Sequence, residues 1–140
     1  MFGRGFSLLE LLVVLVLVSV VAALALPGFR QQIARVHRTE AMTALLQLQS
    51  AEEKFYLRHN TYSRNITAAP PVGLGLPAAT SSNRYLLSVA VADDGQTFIA
   101  TATPTRAGGQ DADHECLAFS IDAHGRRAVS GTRDARHCWK

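Results

Sequence analysis

The sequence predicts an α+β fold in which a long N-terminal α-helix packs on a four-stranded antiparallel β-sheet. Three observations carry this expectation. Apolar residues crowd one end of the chain, with nothing polar but Ser19 between Leu11 and Leu26. A helical period with a single apolar stripe follows, and no Gly or Pro interrupts it between Phe29 and Asn60. Two pairs of alternating segments, each joined by a turn signal, fill the second half.

Taken in order, residues 1–5 form a short basic leader containing Arg4, and residues 6–28 form an apolar segment. Phe6 to Leu26, as a helix, spans about 31 Å, the hydrocarbon thickness of a bilayer. A secretory signal peptide places its small-residue cleavage site after the apolar stretch. Here the candidate site precedes it and the segment runs on past Pro27, so the apolar segment is expected to be retained. The amphipathic helix of residues 29–58 places Phe29, Ile33, Val36, Leu45, Leu48 and Phe55 on one stripe. With the apolar segment it predicts one helix of roughly fifty residues, disturbed at Pro27-Gly28. Residues 59–83, rich in Asn, Thr, Ser, Pro and Gly, read as a connecting loop. The G-x-G at Gly73 and Gly75 is no nucleotide fingerprint, because a Pro follows and no strand precedes it.

In residues 84–140, Arg84 to Ala92 and Thr97 to Thr103 alternate around Asp93-Asp94-Gly95-Gln96. Cys116 to Ile121 and Arg126 to Ser130 do so around Asp122-Ala123-His124-Gly125. Two hairpins follow, and the apolar face of the meander needs the amphipathic half of the helix to cover it. At 140 residues the chain suffices for a long helix with a small domain attached.

Several side chains invite a chemical reading. Glu10 is a carboxylate in a helix otherwise without charge, where an unpaired charge costs several kcal/mol, so it needs a cationic partner such as a freed N-terminal amine. Cys116 and Cys138 are a pair, which in an exported small domain favours a disulfide. A zinc site from His114, Cys116, His137 and Cys138 is the alternative, although the spacing matches no common zinc module. Cys138 with His137 or His124 is the sole cluster on which catalysis could be built, and no enzyme is expected. Asp93, Asp94, Asp111, Asp113 and Asp122 are candidate calcium oxygens without EF-hand spacing; neither a metal nor another cofactor is expected. Asn65-Ile66-Thr67 is a sequon read as coincidental. From Gly125 onward, Arg126, Arg127, Arg133, Arg136 and Lys140 face one acidic residue, Asp134. With Trp139 and His137 among them, they form a candidate phosphate-contacting patch, against the plainer reading of a solvated surface loop. The overall charge of +3 by itself implies no partner.

Gly3-Arg4-Gly5-Phe6-Ser7-Leu8-Leu9-Glu10, followed at once by the apolar run, resembles the class III signal of type IV prepilins. Ser7 stands where that family more often has Thr. The resemblance implies the pilin fold, cleavage between Gly5 and Phe6 by prepilin peptidase, and N-methylation of Phe6. It also implies assembly through Glu10 and Pro27, and a disulfide between Cys116 and Cys138 that pins the C-terminal loop to the sheet. The partners it implies are other pilin subunits in a helical filament, the inner-membrane assembly platform and an outer-membrane secretin. The precursor would span the inner membrane once and then leave it for an extracellular filament serving motility or adhesion. The short domain, Thr101 to Pro104 and the final Cys-Trp-Lys look most like the PilE-type minor pilins. A DNA-binding pilin for natural transformation and a type II secretion pseudopilin are the alternatives.

Overall fold

The computed structural model describes residues 7–140, apart from the side chains at positions 26–28, 30 and 31. The Gly5–Phe6 junction therefore lies outside the described residues. The chain divides into two units, one ending at Arg35 and the other running from Val36 to Lys140. Helix α1 (Leu8–His59) contributes to both, and Pro27 and Gly28 stay within it, so the disturbance expected there does not interrupt the helix.

In the first unit, Leu8–Ala25 is long and apolar enough to cross a membrane, and none of it is buried within the chain. Glu10 sits in the first turn, where the positive end of the helix dipole favours a carboxylate. The Ser19 hydroxyl donates to the Val16 carbonyl at 2.7 Å, so the hydroxyl of the run is satisfied without water.

The second unit holds the whole core, whose buried side chains run from Ala41 to Cys138. Ala41, Leu45, Leu48 and Glu52 recur at helical spacing and are fully buried. Phe29, Ile33 and Val36, placed on this stripe from the sequence, are instead exposed. A period identifies a helix face but not what covers it, and the sheet takes only the later turns. The helix ends where Asn60 turns left-handed at φ 58°, its amide bonding the Tyr56 carbonyl at 2.8 Å.

Strands β1 (Tyr85–Val91), β2 (Phe98–Pro104), β3 (Phe119–Asp122) and β4 (Arg127–Val129) form an antiparallel meander in that spatial order. Tyr85 and Leu87, Phe98, Ala100 and Ala102, and Phe119 and Ile121 point into the core, while Leu86 and Ile99 point out. That alternation is the period-two pattern of a sheet covered on one face. Strand β3 starts three residues later than the sequence predicts. Leu117 adopts a left-handed conformation at φ 49°, which breaks the extended backbone. At the β1–β2 turn Gly95 has φ 71°, and a Cβ there would strike the Thr61 side chain. A 3-10 turn at Gln110–Ala112 and a short helix, α2 (Ala135–Cys138), complete the order.

Two carboxylates tie α1 to the connecting loop. Glu40 accepts from the Ser81 hydroxyl at 2.7 Å, the Ser82 amide at 2.8 Å and the Ser82 hydroxyl at 2.5 Å. Burial opposes its ionisation, but these donors and His37 outweigh burial and hold it near pKa 2. Glu52 is deeper. Its Oε2 accepts from the Ser63 amide at 2.8 Å, and Oε1 has no partner among the described residues. Burial, reinforced by the neighbouring Glu53 and partly offset by the Ser63 amide, pushes its pKa up to about 7.

Between about pH 4.5 and 7 folded Glu52 keeps a proton that the unfolded chain releases, so this residue's contribution to stability falls as pH rises through that window. Glu52→Gln should remove the loss. Measured by urea unfolding, its stability relative to the native protein should improve from pH 4.5 to pH 7.5, by up to about 3 kcal/mol.

Candidate functional site

The C-terminal segment is placed by three connections. First, Arg38 of α1, largely buried, grips Asp113 through Nε and Nη2, both at 2.6 Å. Its Nη2 also reaches Glu115 at 3.2 Å. The Asp113 bond leads in holding the guanidinium pKa above its ordinary value, against the cost of burial. Second, Cys116 and Cys138 are joined in a disulfide, with Cα atoms 5.8 Å apart. Third, residues 131–133 run along residues 114–116. The Gly131, Thr132 and Arg133 amides donate to the Cys116, His114 and Glu115 carbonyls at 3.1, 3.1 and 2.9 Å. Gly131 is required here, because a Cβ would collide with the Glu115 backbone.

These connections seat α2. Asp134 caps it, accepting from the His137 amide at 2.9 Å. Trp139 then lies edge-on to Phe119, with centroids 5.8 Å apart, and its Nε1 donates to the Ala128 carbonyl at 3.2 Å. The guanidinium of Arg127, from β4, lies 5.0 Å from the centre of the Trp139 ring. An arginine held on an aromatic face keeps its N–H groups free to grip an anion, at low cost in side-chain entropy.

The five cations singled out in the sequence are all exposed, but they are not equivalent. Arg126 donates to Asp122 at 2.6 Å, within a turn whose amides also bind that carboxylate. Burial is outweighed by those bonds, and the Asp122 pKa is lowered. Arg133 faces Glu115 at 3.8 Å, and His137 faces the same carboxylate at 3.9 Å. Arg127 is stacked on Trp139, and Arg136 and Lys140 form no ion pair among the described residues. The acid that faces Arg133, Glu115, lies 18 residues away in sequence and was invisible to sequence reasoning, whereas Asp122 stands four residues before Arg126 in the same turn.

The other candidates are redirected. The disulfide withdraws Cys116 and Cys138 from zinc and from nucleophilic roles. The calcium aspartates do not converge: Asp113 is engaged by Arg38, Asp122 by Arg126, Asp93 lies near Arg64 at 3.7 Å, and Asp94 caps the Gln96 amide. Among the described residues no three His, Cys, Asp or Glu side chains could together hold a metal. A cavity of about 740 Å³ between α1 and the connecting loop is lined mainly by small apolar and hydroxyl residues, and its carboxylate, Glu40, is already engaged.

Residues 27–120 match the family described as "Type IV minor pilin ComP, DNA uptake sequence receptor", and residues 3–26 match the prokaryotic N-terminal methylation motif. The chain is similar to the type IV major pilin protein PilE1 of Neisseria gonorrhoeae, 34% identical over 90 residues covering 64% of this chain and 40% of that one. It is similar also to the type IV major pilin protein PilA of Myxococcus xanthus, 34% identical over 111 residues covering 76% of this chain and 46% of that one. The chain spans about half the length of the curated relatives it matches. Among solved structures, a type IV pilin from Shewanella oneidensis superposes with a TM-score of 0.52 at 23% identity, covering 76% of this chain and 98% of that one. That likeness concerns the fold.

Breaking the pair that seats this segment should be costly. Arg38→Ala or Asp113→Asn is expected to lose about 3–5 kcal/mol in urea unfolding, because each strands a buried partner. The double variant Arg38→Met with Asp113→Leu should lose clearly less than the two single changes together.

Proposed function

The chain belongs to the type IV minor pilin ComP family, and on that footing we propose that it is a minor pilus subunit whose globular unit binds the phosphate backbone of DNA. The observation that carries the DNA reading is the stacking of Arg127 on Trp139, beside the exposed Arg136 and Lys140, which are unpaired among the described residues. A guanidinium lying over a ring, with two further cations on the adjoining turn, suits a row of phosphates. These cations lie beyond residues 27–120, so the reading rests on their own chemistry as well as on the family.

Assembly follows from the first unit. The precursor is held in the inner membrane by its apolar helix, and prepilin peptidase cuts between Gly5 and Phe6. Phe6 is then N-methylated, and the amine freed there is a cation with which Glu10 can pair. In a staggered stack of helices the amine of one subunit pairs with Glu10 of its neighbour and sets their register. The assembly platform and the outer-membrane secretin then carry the filament out, with Pro27 as a point of adjustment in the packed helices. Head-to-tail packing of this kind gives an open filament rather than a closed oligomer.

Two measurements test these steps. Intact mass of the chain extracted from its host membrane should show loss of Met1 to Gly5 and gain of one methyl group; an unprocessed Met1 would refute the assembly route. The oxidised fragment 30–140, which contains the complete core, should bind a 20-base-pair duplex with an affinity that falls as salt rises. Replacing Arg127, Arg136 and Lys140 by Ala should flatten the slope of log K against log salt by about 0.9 for each phosphate no longer neutralised. Unchanged binding by that triple variant would move the DNA surface elsewhere.

A further inference from the structure

We propose that Glu115 is a built-in counter-anion that weakens binding to DNA offering only its phosphates. This rests on the DNA reading above. Its carboxylate sits among basic side chains: Oε1 lies 3.8 Å from Arg133, while Oε2 lies 3.2 Å from Arg38 and 3.9 Å from His137. The placement is built into the backbone, since the Arg133 amide donates to the Glu115 carbonyl at 2.9 Å and Gly131 permits the close approach.

Glu115 is poorly explained as a stabilising residue. Arg38 already holds Asp113 by two short bonds. The contacts of Glu115 with Arg133 and His137 are long and half-exposed, the kind of pair that contributes little to stability. What the carboxylate does instead is cancel one positive charge in the patch. An incoming phosphate must displace Glu115 from Arg133 and lie near a like charge, well within the roughly 10 Å over which charges act at moderate salt. The nominal five-cation tail is thereby reduced, with Arg126 committed to Asp122 and Arg133 to Glu115, leaving Arg127, Arg136 and Lys140 as the uncompensated group among the described residues.

The test uses the oxidised fragment 30–140 and a 20-base-pair duplex of random sequence, titrated at several salt concentrations. Glu115→Gln should bind about threefold to tenfold more tightly at low salt, with the slope of log K against log salt steeper by about 0.9, the equivalent of one further phosphate neutralised. Arg133→Ala should change little in the native background yet abolish the gain in the Glu115→Gln background. Glu115→Asp, which keeps the charge, should restore the native slope, a readout that mere loosening of the fold would not reproduce. Equal or weaker binding by Glu115→Gln with an unchanged slope, while the native fragment still binds, overturns this inference alone. Absence of binding by the native fragment and by Glu115→Gln at low salt overturns the DNA reading, and the inference with it.

Discussion

The buried pair between Arg38 and Asp113 joins two points 75 residues apart in sequence, and the order of the C-terminal segment depends on it. That grip adds a side-chain tie to α1 for a segment that the backbone of residues 131–133 and the disulfide hold from the other side. Cys116 then fixes Cys138, Cys138 fixes α2, and α2 places Trp139 where Arg127 can lie on its ring. Each step is short-ranged, but together they carry position from the helix to the far edge of the sheet. A pair of this kind gains little net stability, because both charges lose water. Its value lies in specifying one arrangement, since any other would leave a charge buried alone.

Much of the architecture is legible in the residues because it rests on periodicity. The unbroken helix, the alternation of β1 and β2 and the Asp-Gly turn each leave a local signature, and the Gly-Phe junction with its following Glu is a motif. What is not legible is pairing at long range. Nothing near Arg38 in sequence marks Asp113 as its partner, and of the aspartates that suggested a cation site Asp93 and Asp113 face arginines from distant parts of the chain, an arrangement that exists only after folding. Leu117 is a conflict of levels. Its sequence context alternates like a strand, but the chain must turn there to bring Cys116 toward Cys138, and tertiary demand overrides the local pattern. Burial of Glu52 is hidden for a similar reason: a Glu on an amphipathic helix reads as a polar flank until the loop folds over it.

The tail shows how a count of charges differs from a field. Five cations against one aspartate suggest a strongly basic surface, yet two of the five are partnered by acids from β3 and from the segment before the disulfide. The remaining three differ in kind, because Arg127 lies over the Trp139 ring while Arg136 and Lys140 form no ion pair among the described residues. The net charge that such a surface presents is set as much by Glu115 and Asp122 as by the basic residues.

The disulfide gives the patch a location as well as a shape. A bond between Cys116 and Cys138 forms and persists only where thiols are oxidised, outside the cytoplasm. On the proposed route, until the second unit has crossed the membrane α2 has no covalent tie to the sheet and Trp139 no enforced seat beside Arg127. On the proposed reading, a newly made subunit is therefore blind to the chromosome at its birthplace and acquires its grip on nucleic acid only on the side where foreign strands arrive.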